Sequence, residues 1–510
     1  MKYRIYTITL AAVCCLDASG REPVRVAFIG DPQVDNAVEM GYARRSIYKE
    51  LAGRRDIDLC LFLGDLVNDD MALLPESTRI IDSLPFPCFM IPGNHDRDVY
   101  RGPKARHRAG HDASDSQAEV NAELNGTRPR DLTTWHRTVG YIDTAFFMGN
   151  VHFILMNNVR QASAGMTDYT GGFTEKQKHW LDSVFHALPE PRRERARKQD
   201  GAKTGRSTRK PALTILATHI PVSEMKGRDS LTAMIPDPSR TLFVSGHTHY
   251  VSRSYISIDP NRGELDDSIP ELVAGAACGS WWRGVKDEAG VPYALQSCGA
   301  PRGYFLADIR RGGSYELTYR CIGRPETEQL SVWALPEGTA VPDGNGHDGN
   351  TAAPSSTGPY RIYVNVFGGA ENGKVCVSVP KKATRTMRQI QPENQACGRK
   401  NADDGMTDRR PSRHIFCRRS SAPAPEVEEV VRFNASMSRD YRKAHRDEFI
   451  PLRRKPSTHL WESQPLSGQI PSRVNVRYHD SHMRIRSAAV TVKMLDGNLQ
   501  GNGSGSGKKY

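Results

Sequence analysis

Short apolar runs recur along the first two thirds of the chain, and most end in a glycine, a proline or a polar residue. "VRVAFIG" (24–30), "DLCLFLG" (58–64), "FPCFMIP" (86–92), "VHFILMNN" (151–158), "LTILATH" (213–219) and "TLFVSGH" (241–247) are rich in β-branched and aromatic residues, the composition of strands buried on both faces. Between some of them the apolar spacing changes to a helical period, notably in "AVEMGYARRSIYKELAG" and "TEKQKHWLDSVFHAL". This alternation of strand and helix predicts an α/β domain. Residues 101–134 are polar and glycine-containing and read as an insertion. "PEGTAVPDGNGHDGNTAAPSSTGP" is a linker by composition. Beyond it, "YRIYVNVFGG", "KVCVSVP", "RVNVRYHD" and "AAVTVKML" alternate with period two and carry few helical signals, which predicts a small β-sandwich. The domain plan is therefore a leader over 1–20, an α/β domain over 21–335, a linker over 336–358, a β-domain over 359–500 and a tail over 501–510.

At 510 residues the chain exceeds one ordinary core, which agrees with two domains. A composition of 38% hydrophobic and 25% charged residues is that of a soluble globular protein and excludes disorder on a large scale. The formal net charge of +12 favours anionic or phosphorylated partners. Much of the excess sits in "EPRRERARKQDGAKTGRSTRKPA", where no aromatic residue interleaves the basic ones, so this stretch reads as a solvated loop and not as a nucleic-acid surface. "MKYRIYTITLAAVCCLDASG" opens the chain with Lys2 and Arg4, an apolar run, and then Ala18 and Gly20 at cleavage-compatible positions. It predicts export to a periplasm or cell surface. The run is too short to span a bilayer, and no other segment is apolar enough to do so. Of the 10 cysteines, Cys14 and Cys15 fall in this leader, and the rest are widely spaced without a metal-finger pattern. Cys60 and Cys88 lie in apolar strands and read as core residues.

Chemistry gathers at the strand ends. Asp31 and Gln33 follow the first strand, Asp65 the second, Asn94 and His95 the third, His219 the fifth, and His247 and His249 the sixth. Ligand groups in open α/β sheets collect outside the carboxyl ends of strands, so residues far apart in sequence converge there. Carboxylate, amide oxygen and imidazole form a donor set for divalent first-row metals. A Gly-Asp pair or a lone histidine is by itself an ordinary turn or core feature; the case rests on all of them recurring after apolar runs.

In this order, "GD", "GNHD", "H" and "GHTH" resemble the calcineurin-like metallophosphoesterases over roughly residues 24–325. "VAGAACGSWWRGVKDEAGVPYALQSCGAPRGYF" is similar to a segment of bacterial members that carry an extra C-terminal β-domain; "STHLWES" fits that domain less closely. The resemblance implies a four-layer α/β/β/α sandwich with two divalent ions at the strand ends. Asp65 would bridge them. Asp31, Gln33 and His249 would complete one site, and Asn94, His219 and His247 the other. A hydroxide shared between the ions would attack phosphorus, and His95 would stabilise the developing charge or protonate the leaving oxygen. Most of the family has histidine where Gln33 stands. An amide oxygen is a harder and weaker donor, so manganese is favoured over iron, zinc or magnesium; branches resembling manganese-dependent nucleotide pyrophosphatases also have glutamine there. The carboxylate that orients the catalytic histidine in related phosphatases falls on Asn68, with Asp69 next to it.

Trp281 and Trp282, taken as strand neighbours, would point to opposite faces. Either the exposed ring forms a stacking wall for a base or sugar, or both rings pack between the sheet and the C-terminal domain. Arg283 and Arg302 are phosphate-contact candidates by charge. The expected function is an exported dinuclear-metal phosphoesterase acting on a phosphomonoester, phosphodiester or nucleotide pyrophosphate. The alternatives are a nuclease, or a weakly catalytic envelope binding protein on the same scaffold. A glycan or protein contact is assigned to the C-terminal domain.

Overall fold

In the computed structural model the described residues are 23–98, 130–163, 167–186, 210–258, 268–337, 358–380 and 412–495. The expected leader and tail, most of the polar insertion and the linker, and nearly all of the basic loop lie outside them. The chain divides into two units: residues up to Gln296 with Pro301–Arg324, and Ser297–Ala300 with everything from Pro325 onward.

The first unit contains β1 (Val24–Ile29), β2 (Leu59–Phe62), β3 (Cys88–Met90), β4 (Thr144–Met148), β5 (Val151–Met156), β6 (Val159–Gln161), β7 (Tyr169–Gly171), β8 (Leu213–Thr218), β9 (Thr241–Ser245), β10 (Val251–Ser257), β11 (Ser268–Ala274), β12 (Gly303–Ile309) and β13 (Tyr315–Cys321). One sheet has the order β13-β12-β1-β2-β3 and the other β10-β11-β9-β8-β5-β4, while β6 and β7 form a separate hairpin. Strands β1, β2 and β3 run parallel, as do β5, β8, β9 and β11. All six expected apolar runs are strands. Alternation assigns them two apolar faces. Ala27, Ile29, Cys60 and Phe62 belong to one helix-covered core and Ile154, Leu216 and Phe243 to another. The intervening Val26, Phe28, Leu61, Phe153, Ile215 and Val244 are fully buried and lie on the opposite faces, between the sheets. This is the four-layer α/β/β/α arrangement.

Both expected helices form. Residues 37–53 run as one helical segment whose middle, Arg44–Tyr48, is a π-turn; Asn36 opens it by accepting from the amides of Val38 and Glu39. Thr174 caps Glu175–Phe185 in a reciprocal capping box with Gln177. Cys60 and Cys88 sit opposite each other on β2 and β3 as thiols, as expected of core residues.

The second unit holds β14 (Leu330–Pro336), β15 (Tyr360–Val366), β16 (Lys374–Pro380), β17 (Ser412–Arg419), β18 (Leu460–Glu462), β19 (Arg473–His479) and β20 (Arg484–Lys493), closed into a barrel in the order β14-β15-β18-β17-β16-β19-β20. Two features differ from the sequence reading. β14 pairs with β15, so the unit begins near Pro325 and not after residue 335; "LSVWALP" is as apolar as the strands before it, and composition shows no break there. The helices Pro425–Ser436 and Arg439–Ala444 were also not expected.

Candidate active site

The predicted ligands stand where the parallel strands end. Asp31 and Gln33 follow β1, Asp65 follows β2, Asn94 and His95 follow β3, His219 follows β8, and His247 and His249 follow β9. Six of the ten described non-glycine residues with positive φ are here: Asp31, Gln33, Asp65, Asp69, His247 and His249. Backbone held in this region is strained and persists only where its surroundings impose it. The glycine beside the ligands has a steric cause. A Cβ on Gly93 would meet Asp65 Oδ1 at 2.0 Å, and one on Gly64, at φ +96°, would meet His219 Nδ1 at 2.5 Å.

The donor atoms converge. Asp65, His219 and His247 each offer a ligand atom within 4.8 Å of the others. His219 Nδ1 lies 2.8 Å from the Leu63 carbonyl, which can only accept, so Nδ1 carries a proton and Nε2 is the nitrogen turned toward the centre. That nitrogen faces Asn94 Oδ1 at 2.9 Å, Asp65 Oδ2 at 3.3 Å and His247 Nδ1 at 3.2 Å. Four electron-rich atoms turned toward one another fit a bound cation. His249 repeats the device: Nδ1 is 2.6 Å from the Gly279 carbonyl, and Nε2 is 3.9 Å from Asp31 Oδ1. Burial lowers His247 to about 3 and His249 to about 4, so both are neutral imidazoles near pH 7. Burial opposes protonation of His219, but the Asp65 carboxylate raises it to about 9, so without a cation Nε2 carries a proton that a bound metal would displace.

Gln33 is buried, and its Nε2 donates to Asn68 Oδ1 at 3.1 Å. That bond orients the amide and leaves Oε1 buried with no hydrogen-bond partner. An orphaned buried acceptor is costly, and a cation would satisfy it. The residues present therefore fit divalent metals. Asp31, Gln33 and His249, with Asp65, would hold one ion; Asn94, His219 and His247, with Asp65, the other.

His95 is held by Asp69 and not by Asn68: its Nδ1 lies 3.0 Å from Asp69 Oδ2, and its amide donates to Asp65 Oδ1 at 2.8 Å. The other Asp69 oxygen accepts from the buried guanidinium of Arg130. Burial lowers the His95 pKa, but Asp65 and Asp69 outweigh it and the net shift is upward. Sequence reasoning missed three contributors. Arg130 lies near the end of the polar insertion, with no local pattern to mark it. Asp96, in "GNHD", accepts from the amides of Val67 and Gly93 and so ties the loops after β2 and β3 together; its place directly after His95 was the available signal. Tyr169, on the β6–β7 hairpin, sets its ring edge-on to His247 at 5.8 Å.

The tryptophans divide as expected, for a different reason. Trp281 is 42% exposed and stacks on His249 with centroids 4.6 Å apart. Trp282 is buried, donates to the Pro32 carbonyl and packs on Tyr42, so it is unavailable to substrate and its assignment as a contact is corrected. Both residues lie in a turn with positive φ and not on a strand; the turn, not strand alternation, separates the rings. Arg302 is buried with its guanidinium over the Trp282 ring at 5.3 Å, supporting the core and not reaching for phosphate. Arg283 is exposed, and its charge acts on Glu39.

Comparison with known proteins gives two successive matches, the second of which begins within the first unit. Residues 24–251 match the family model "Calcineurin-like phosphoesterase", and residues 271–423 match "C terminal of Calcineurin-like phosphoesterase". No curated protein matches the sequence. Similar solved structures include purple acid phosphatase PPD1 from yellow lupin (Lupinus luteus) seeds, 15% identical, covering 59% of this chain and 52% of its own, with a TM-score of 0.36. PhoD is 12% identical over 68% of this chain and 70% of its own, with a TM-score of 0.35. GAP50, the anchor in the inner membrane complex of Plasmodium, is 12% identical over 59% of this chain and 84% of its own, with a TM-score of 0.29. The chain thus spans about half the length of the lupin phosphatase. With the two family models following one another and the ligand set converging at the strand ends, the chain belongs to the calcineurin-like phosphoesterases, a family of metal-dependent hydrolases, and carries that family's C-terminal domain.

Proposed function

We propose that the protein is an exported phosphoesterase that uses two divalent ions, manganese foremost, to hydrolyse P–O bonds of a phosphomonoester, phosphodiester or nucleotide pyrophosphate. The convergence of Asp65, His219 and His247 carries this reading, and Gln33 Oε1, buried without a partner, supports it. Bound ions would supply an activated water and a positive clamp for the phosphoryl oxygens. Gln33 would present an oxygen where imidazole would otherwise stand, which supports manganese. His95, with Nδ1 fixed on Asp69, has Nε2 available to hold a proton for the leaving oxygen. Trp281 leaves part of its ring open beside a metal ligand, which favours substrates with a planar group. Export rests on the N-terminal run, and sequencing the N-terminus of protein recovered from the producing cell would test it.

The central test is a screen with manganese of an aryl monophosphate, an aryl phosphodiester and a nucleotide pyrophosphate, using wild type, Gln33→His and His95→Ala. The expected result is turnover of one class, a loss of roughly 10²–10⁴-fold in His95→Ala, and an altered metal preference in Gln33→His. No turnover by wild type with any divalent metal, together with little bound metal, would replace this reading with the binding-protein alternative.

A further inference from the structure

We infer that the outer face of the barrel formed by β17, β16, β19 and β20 docks on an anionic lipid bilayer. The four strands lie side by side in that order. Val377, Val476 and Ile485 point inward and are buried, while Lys374, Arg418, Arg473, Arg477, Arg484 and Arg486 stand exposed on the outside. Every charged residue in these strands is lysine or arginine. Arg477 sits directly opposite Arg486, and Lys374 and Arg418 adjoin the Val375–Cys417 pair.

Like charges opposite each other destabilise a sheet. Among the described residues Lys374, Arg473, Arg477 and Arg484 make no ion pair, and Arg418 has Glu462. The repulsion is relieved when an external polyanion covers the face. Amid these cations Phe416 is 68% exposed, across from Cys376, which in turn faces Arg477. Basic side chains around a protruding apolar one are the composition of a membrane-interface surface. A single-stranded nucleic acid needs successive large aromatic platforms, and among the described residues this face has one, Phe416, besides the smaller rings of His414 and His479.

Sedimentation of the full chain with phosphatidylcholine vesicles, with and without phosphatidylglycerol, tests the surface. Binding is expected only with phosphatidylglycerol, weakening as salt rises. Each neutralised cation should weaken it about fivefold, so Arg477→Gln with Arg484→Gln together should weaken it roughly 25-fold. Arg310→Gln, in the first unit, should leave it unchanged. The double variant should keep wild-type hydrolysis of a soluble aryl phosphate, so failure here is distinguishable from failure of the catalytic reading. Equal binding to both vesicle types, no binding, or a preference for a single-stranded oligonucleotide over anionic vesicles would overturn the proposal.

Discussion

Two residues test how the site is held. Asp69 joins His95 to a buried arginine, so Asp69→Asn removes the counter-charge of Arg130, which is 3% exposed; a loss of about 3–5 kcal/mol is expected in chemical denaturation. If Asp69 also fixes His95, turnover of substrates with poor leaving groups should fall further than that of aryl phosphates, a split that destabilisation alone does not produce. Gly93→Ala forces a methyl group toward Asp65 Oδ1, a clash expected to cost about 1–3 kcal/mol or more and to suppress metal binding, read by metal content after dialysis. The strand-end cluster was legible because each of its residues follows an apolar run. Their supports were not: Arg130 comes from the polar insertion and Tyr169 from strand β7, and only packing brings them to Asp69 and His247.

At the scale of elements, parallel strands buried on both faces announced themselves by unbroken apolar runs. The helix Pro425–Ser436 did not, although Pro425 at its start and Glu426 and Glu428 in its first turn follow the usual rules for a helix N-terminus. Short strands on either side drew the reading toward an all-β domain. The helix is fastened by Glu428, which accepts from Arg432 and Arg454. Burial raises the Glu428 pKa, but the two guanidinium groups outweigh it and hold it below the ordinary glutamate value. This contribution is therefore complete above the unfolded-state pKa and is lost as pH falls through the folded one. Glu428→Gln should destabilise by about 1.5–3 kcal/mol at neutral pH, with the gap to wild type closing on acidification. Thr174→Ala should cost about 1 kcal/mol by removing the capping box of Glu175–Phe185.

For the whole molecule, the two units predict two responses to metal. If manganese occupies the proposed centre in the first unit, a hundredfold excess over its dissociation constant should stabilise that unit by about 2.7 kcal/mol and leave the barrel transition in place. Trp135 and Trp282 report the first unit and Trp333 and Trp461 the second, so fluorescence melts of single-tryptophan variants would separate the two; a shared shift would show that the units unfold together. The boundary between them was legible only approximately, because β14 has the same apolar composition as the strands before it. Closure of the barrel has a consequence for assembly. Every strand of the closed sheet has a neighbour on both sides, so the unpaired amides and carbonyls are confined to the stretches of β20 and β17 that run past their short pairings with β14 and β18. Among the described strands, the outermost members of the two large open sheets, β3, β13, β4 and β10, and the β6–β7 pair present whole free edges, where fibrillar growth of a partly unfolded chain would start more readily than on the barrel.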